Sequence, residues 1–374
     1  MSTLLDTGRE DASKRDWQHI LHFDAALLFG LLAISALGLF VLYSSAGGDK
    51  QLVTRQIVRL GIAFGGMVVV AQLRPQWLQR WTPWLYGLGL TLLIAVLVAG
   101  DVGKGAQRWL DLGFIRFQPS EMMKLAVPMM VAWYLSDKRL PPTYSRLLIA
   151  GALIVTPVLL IAVQPDLGTS LLIASAGFFV LFLAGLSWKL LGSLSLLAAA
   201  GAPVLWHFMH DYQRQRVITF LDPEQDPLGT GYHIIQSKIA IGSGGLFGKG
   251  WLNGTQAHLE FLPERSTDFI FAVLGEEFGL FGIGVIVVIY SFIIVRSLYI
   301  AAQAQDTYGR LLGGSVAMTF FIYFIVNTGM VTGLLPVVGL PLPLVSYGGT
   351  SMVTLMAGFG ILMSIHTHRK LLAT

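Results

Sequence analysis

The chain has 374 residues, of which 54% are hydrophobic and only 12% are charged, whereas a soluble domain usually carries about 25% charged residues. A chain this apolar cannot bury its surface in one aqueous core, so the composition indicates a membrane protein. The absence of cysteine excludes disulfides, thiolate metal sites and thiol nucleophiles, and a net charge of +4 from scattered basic residues gives no indication of a nucleic-acid partner.

The N-terminal residues 1–24 are polar and of mixed charge, and no small-residue cleavage site follows them. This pattern predicts a cytoplasmic tail rather than a signal peptide. The rest of the chain contains ten apolar runs near the length of about 20 residues that a spanning helix needs. They are Ala25–Ser44, Gln56–Leu73, Pro83–Gly100, Ser120–Leu135, Leu147–Val163, Leu167–Leu186, Leu190–Met209, Leu280–Ala301, Leu311–Val331 and Gly349–His366.

The predicted fold is therefore an all-α, polytopic membrane protein of about ten transmembrane helices. Spans one to seven occupy residues 25–209, spans eight to ten occupy residues 280–366, and residues 367–374 form a second tail. An even number of spans places both termini on one side, and the positive-inside rule places that side in the cytoplasm. Residues 210–279 then form a large extracytoplasmic loop, which we expect to contain short helices on the outer membrane face.

Asp268 is the strongest candidate for chemistry, because it precedes an apolar, aromatic helix start within this loop. At a membrane interface it would be partly desolvated, which raises a carboxyl pKa toward the range of a general base. The alternative is helix capping, a role that Asp and the neighbouring Thr267 both favour. The residue pattern alone favours the capping role.

Further ionisable residues lie at the predicted outer face. Glu121 and Lys124 are three residues apart, share a helix face and are interpreted as a structural ion pair. Lys104 and Arg108 suit a diphosphate ligand, whereas Trp109 suits a sugar face or, more simply, the interfacial aromatic belt. Asp166 opens a helix, where capping is again the simpler interpretation.

Two motif hypotheses fail on spacing. The glycines of Gly242–Gly250 do not match a phosphate-binding loop, because Lys249 is followed by Gly250 rather than Ser or Thr. His366 and His368 lack a third ligand, so no metal site is assigned.

Several longer stretches carry a resemblance to a known family. They are Lys104–Leu112, Phe117–Glu121, Gln164–Ser170, His210–Val217, Gly231–Lys238, Leu262–Phe271 and Pro341–Gly349. Together they resemble the SEDS proteins (shape, elongation, division and sporulation) over nearly the whole chain after about residue 20, and their motifs lean to the elongation branch. Ser266 departs from the family pattern, in which many members are expected to carry His.

The resemblance implies a ten-helix fold and polymerisation of lipid II, the undecaprenyl-diphosphate-linked disaccharide pentapeptide, into peptidoglycan during cell-wall elongation. The essential aspartate of the family matches Asp268. The implied partners are a class B penicillin-binding protein, the elongation machinery and membrane lipids.

As a mechanistic hypothesis, Asp268 is the general base of an inverting glycosyl transfer. Cationic side chains or a divalent cation would stabilise the leaving diphosphate, so the cofactor stays open. The candidate side chains are Lys104, Arg108, Arg214, Arg216, Lys238 and Arg265. Two alternatives remain: a transporter that flips lipid II, and a non-catalytic scaffold for the penicillin-binding protein.

Overall fold

The computed structural model describes residues 23–103, 106–111, 116–209, 211–223, 230–258, 262 and 264–368. The predicted tails therefore lie almost entirely outside the described residues. Lys104 lies outside them as well.

The described chain is mostly helical. Its helices are α1 (Ala25–Ser45), α2 (Lys50–Ala71), α3 (Pro75–Ala99), α4 (Pro119–Ser136), α5 (Tyr144–Val163), α6 (Leu167–Leu183), α7 (Trp188–Phe208), α8 (Asp211–Leu221), α9 (Thr230–Ser243), α10 (Thr255–His258), α11 (Ile270–Ala302), α12 (Thr307–Val331) and α13 (Thr350–Thr367). A small antiparallel sheet lies between α3 and α4, with strands β1 (Asp101–Gly103), β2 (Ala106–Asp111) and β3 (Arg116–Phe117).

Each of the ten predicted spans coincides with one long helix. Seven of these helices are long and apolar enough to cross a membrane: α1, α2, α3, α5, α11, α12 and α13. The prediction of a multi-pass, mostly helical membrane protein is confirmed, and the exact count of ten spans stays a prediction. The small sheet was not predicted, because strands of two to six residues give too short a pattern to detect beside a spanning helix.

The helices pack around α12, which contacts α4, α6, α11 and α13. Of the seven candidate spans, α12 has the largest fraction of buried residues, 67%. Outer helices instead expose large apolar side chains, for example Phe29 on α1 and Ile62 on α2. An apolar exterior is the arrangement that a lipid solvent stabilises, because hydrocarbon accepts these side chains while the helices satisfy their own backbone hydrogen bonds.

One end of the bundle is tied together by Asp24, the N-cap residue of α1. Its Oδ1 accepts a hydrogen bond from Leu27 N at 2.7 Å, and its Oδ2 lies 2.5 Å from Nη2 of Arg296 on α11 and 3.6 Å from Nδ1 of His366 on α13. Burial by itself raises the pKa of Asp24, but the hydrogen bonds from Arg296 and Leu27 hold that pKa below its ordinary value. The charged carboxylate therefore links α1, α11 and α13.

Helix α11 is interrupted at Gly279, whose φ of +61° is a left-handed conformation that glycine adopts without steric cost. The loop that follows α9 fits into this interruption. Leu280 N donates to Gly245 O at 2.9 Å, and Phe281 N donates to Leu246 O at 3.0 Å. The part of α11 that follows Gly279 is therefore held at its start by the glycine-rich loop.

Gly248 in this loop has no room for a side chain. A Cβ at this position would lie 2.1 Å from Glu277 O, and its φ is +79°. We expect Gly248→Ala to lower the free energy of unfolding by at least about 1–2 kcal/mol, the cost of a left-handed conformation for an L residue. Thermal unfolding in detergent measures this. Gly242→Ala is the control, since a Cβ there meets nothing within 4 Å, and equal melting of both variants would contradict the packing described.

Candidate active site

Asp268 lies in the turn that leads into α11. Thr267 N and Phe269 N both donate to Glu264 O, at 3.0 and 3.3 Å, and Thr267 Oγ1 donates to Glu264 Oε2 at 2.7 Å. The N-cap residue of α11 is Phe269, which makes no side-chain capping hydrogen bond. Asp268 therefore precedes the cap position, in contrast to the capping alternative, and its side chain is half-buried.

The turn is fixed in place through its main-chain carbonyl groups. Tyr347 N donates to Ser266 O at 2.8 Å, and Ser346 Oγ donates to Thr267 O at 2.6 Å. Asn327 Nδ2, on α12, donates to Asp268 O at 2.9 Å. Three consecutive carbonyls are thus held from outside the turn, which fixes the backbone that carries the Asp268 side chain.

The other side of the turn is covered by α9. The ring of His233 stacks on Phe269 with ring centroids 5.6 Å apart, and Ser237 Oγ donates to Val331 O at 2.8 Å. The next residue of α9, Lys238, is exposed and packs over Gly333, which begins the loop after α12. Helix α9 therefore places Lys238 beside the loop that runs on to Gly339, where an added Cβ would lie 3.6 Å from Asp268 Oδ2.

The other predicted basic residues are distributed over several elements. Arg265 is half-buried in the same turn as Asp268. Arg214 and Arg216 lie on α8, and the guanidinium of Arg214 donates to Trp206 O and His207 O at the end of α7, at 3.0 and 2.7 Å. Arg214 therefore caps α7, which reduces its availability to a substrate.

Arg108 is held by the turn between α5 and α6. Its Nη2 donates to Pro165 O, and its Nε lies 3.7 Å from Asp166 Oδ2. Asp166 also caps α6 by accepting from Thr169 N at 3.3 Å, as the capping interpretation expected. Because Arg108 already has a carboxylate beside it, a diphosphate would compete with that contact.

Glu121 and Lys124 form an ion pair of 2.7 Å, and each residue is less than 10% exposed. Lys124 Nζ also donates to Ser351 Oγ at 3.3 Å and lies 5.5 Å above the ring of Tyr323. The pair thereby connects α4 to α12 and α13. Glu121 also lines a groove of about 520 Å³ between α2, α3, α4 and α13, whose remaining walls are mainly apolar.

A second pocket was missed by the sequence analysis. It has a volume of about 410 Å³ and is lined by Arg59, Ile62, Trp109, Gly349, Thr350 and Val353. The guanidinium of Arg59 lies 4.5 Å above the ring of Tyr347. A sequence signal existed, because Arg59 lies inside the predicted span that begins at Gln56 and an arginine at membrane depth is energetically costly.

No cluster of three or more His, Asp or Glu side chains suited to a metal ion occurs within the described ranges. A cation held by fewer protein ligands together with a substrate diphosphate would give no such cluster. The cofactor requirement therefore stays an open prediction.

The model of the cell cycle protein family that comprises FtsW, RodA and SpoVE matches residues 17–371. The chain belongs to this family. Among its relatives, the peptidoglycan glycosyltransferase MrdB of Escherichia coli strain K12 is 55% identical, over 97% of this chain and 99% of MrdB. The family membership confirms the resemblance that the motifs indicated.

Solved structures of the FtsW/RodA/SpoVE family have the same fold. A chain from a peptidoglycan synthase complex that coordinates polymerization and crosslinking is 35% identical, with a TM-score of 0.81 over 93% of this chain and 99% of that one. The rod shape determining protein RodA of Thermus thermophilus is 30% identical, with a TM-score of 0.70 over 93% and 98% of the two chains.

Proposed function

We propose that this chain is a peptidoglycan glycosyltransferase that polymerises lipid II into glycan strands during cell-wall elongation. The observation that carries the proposal is the half-buried carboxylate of Asp268, held by three external hydrogen bonds to the turn around it. A relative named as a peptidoglycan glycosyltransferase, 55% identical over nearly its full length, supports the same reaction class.

In the proposed reaction, the C4 hydroxyl of the lipid II GlcNAc is the acceptor and C1 of the MurNAc at the end of the growing strand is the donor. Asp268 takes the hydroxyl proton as the oxygen bonds to C1, and the bond from C1 to the diphosphate breaks. Undecaprenyl diphosphate leaves as a stable anion, so no acid has to protonate it. Direct displacement converts the α-linked diphosphate into a β-glycosidic bond.

The proposed location is the bacterial cytoplasmic membrane, with both termini in the cytoplasm. Basic residues of the short connections, such as Arg74 and Arg139, support this orientation under the positive-inside rule. It directs the Asp268 turn and the loop of residues 341–349 toward the periplasm. The sugar would then react outside the membrane while both polyprenyl chains remain in the lipid.

The proposed partner is a class B penicillin-binding protein, which would crosslink the new strand. Support comes from the synthase complex, because its matching chain belongs to an assembly in which polymerization and crosslinking are coordinated. If crosslinking directly follows polymerisation, the two active sites must face the same side of the membrane.

The decisive experiment incubates the purified chain with lipid II, with and without the penicillin-binding protein and with and without divalent cation. Glycan strands resolved by gel electrophoresis are the expected product of the chain itself. Translocation of labelled lipid II across vesicles without polymer would instead indicate a flippase. Polymer that appears only with the partner, and survives every carboxylate substitution in this chain, would indicate a scaffold.

A further inference from the structure

Arg59 carries a charge within α2, a helix long and apolar enough to cross a membrane. It lies nine residues after Lys50, the first residue of α2, and three residues after Gln56, where the predicted span begins, so it lies within the outer part of that span. Its guanidinium lies 4.5 Å above the ring of Tyr347 and forms no ion pair with another described residue. A charge at such depth usually marks a ligand or ion site.

The pocket beside Arg59 has space for a ligand. Its volume of about 410 Å³ lies within the range of about 300–1,000 Å³ that small-molecule sites occupy. Trp109 forms one wall, and Gly349 lies against the side chain of Arg59, where an added Cβ would be 3.6 Å from Nε. An arginine with an aromatic wall suits a phosphorylated sugar, because the guanidinium pairs with phosphate oxygens in a bidentate manner and the indole packs on the sugar face.

This pocket adjoins the apolar groove described above. Thr350 and Val353 line both cavities, and the groove continues along α13 as far as Ile361. The combined site therefore has a cationic, aromatic head region and an apolar extension of about 520 Å³. A polar diphosphate attached to an unsaturated hydrocarbon chain has the same division into two chemically distinct parts.

The same loop joins this site to Asp268. Gln56 Nε2, one turn before Arg59, donates to Ser346 O at 3.1 Å, while Ser346 Oγ holds Thr267 O. Tyr347 contacts Arg59 through its ring and Ser266 through its backbone N–H. The head region and the Asp268 turn are therefore adjacent and share one support.

We propose that Arg59 binds the diphosphate of the polyprenyl-linked substrate, with Trp109 against the attached sugar and the apolar groove around the first isoprene units. The assignment of the substrate rests on the proposed function. An ordinary anionic phospholipid offers the same phosphate chemistry, so the test has to separate the two sources.

The test measures binding of undecaprenyl diphosphate to the full chain in nanodiscs by native mass spectrometry. We expect Arg59→Ala to weaken binding at least 10-fold and Arg59→Lys to weaken it less, because a point charge replaces a bidentate donor. Arg74→Ala is the control, since Arg74 is an exposed arginine at the other end of α2. Undecaprenyl phosphate and phosphatidylglycerol serve as the comparison ligands, and both are expected to bind more weakly.

Unchanged binding in Arg59→Ala, or equal affinity for phosphatidylglycerol, would overturn the inference. Thermal unfolding checks that each variant is folded. If Arg59→Ala does not fold, the affinity of Arg59→Lys for undecaprenyl diphosphate is compared with that of the wild type instead. The outcome is independent of catalysis. Diphosphate binding that depends on Arg59 without any polymer would refute the proposed function alone, whereas polymer formation with binding indifferent to Arg59 would refute this site alone.

Discussion

Replacing Asp268 with asparagine is expected to reduce glycan polymerisation from lipid II by about 100-fold or more, the usual contribution of a general base. The amide has nearly the same size and shape as the carboxylate, but it cannot accept the proton of the acceptor hydroxyl. The initial rate of polymer formation by the purified protein in detergent is the measurement.

The fold of this variant is expected to persist. The hydrogen bonds from Asn327, Ser346 and Tyr347 end on main-chain carbonyls, which the substitution leaves in place. Glu264→Gln is the matched control, because it neutralises an exposed carboxylate in the same turn and is expected to keep full activity. A folded Asp268→Asn protein with normal activity, or an equal loss in both variants, would remove Asp268 from the role of base.

The second large effect is expected from Lys124→Ala, which leaves the Glu121 carboxylate buried without its counter-charge. Breaking a buried ion pair from one side typically costs about 3–5 kcal/mol. The loss also removes the hydrogen bond to Ser351 and the contact with the ring of Tyr323. Thermal unfolding in detergent should therefore show a clear decrease in melting temperature.

Lys138→Ala is the control for this prediction, because Lys138 is exposed just beyond the end of α4. The double variant Glu121→Gln with Lys124→Met is expected to recover most of the lost stability, because it removes both charges and keeps the volume. A single Lys124→Ala variant that melts like wild type would show that the pair contributes nothing to the packing of α4 against α12 and α13.

Much of the fold could be predicted because spanning helices have a strong local signal. Boundaries were less accurate where polar residues lie inside helices. The helix predicted to begin at Leu280 begins at Ile270, because the buried Glu276 and Glu277 lower the apolar average of its first turns. Their charges are offset by contacts that are distant in sequence, such as Lys249 Nζ to Glu276 Oε1 at 2.7 Å.

The candidate site was only partly predictable for a similar reason. Asp268 was found because a carboxylate before an apolar helix is a local pattern. The residues that hold it, Asn327, Ser346 and Tyr347, lie about 60–80 positions later in the chain, a distance over which hydrophobic periodicity carries no information. The contact of Arg108 with Asp166 was not predicted, because the packing of the bundle brings together two residues that are 58 positions apart.

The main-chain attachment of the Asp268 turn has a consequence for substitutions within it. Tyr347 and Ser346 bind the carbonyls of residues 266 and 267, and every amino acid supplies a carbonyl. A substitution at position 266 therefore leaves both main-chain acceptors in place. The serine at position 266, where the family resemblance leads us to expect histidine, keeps this main-chain attachment, and its Oγ accepts a hydrogen bond from Ser45 Oγ at 3.3 Å.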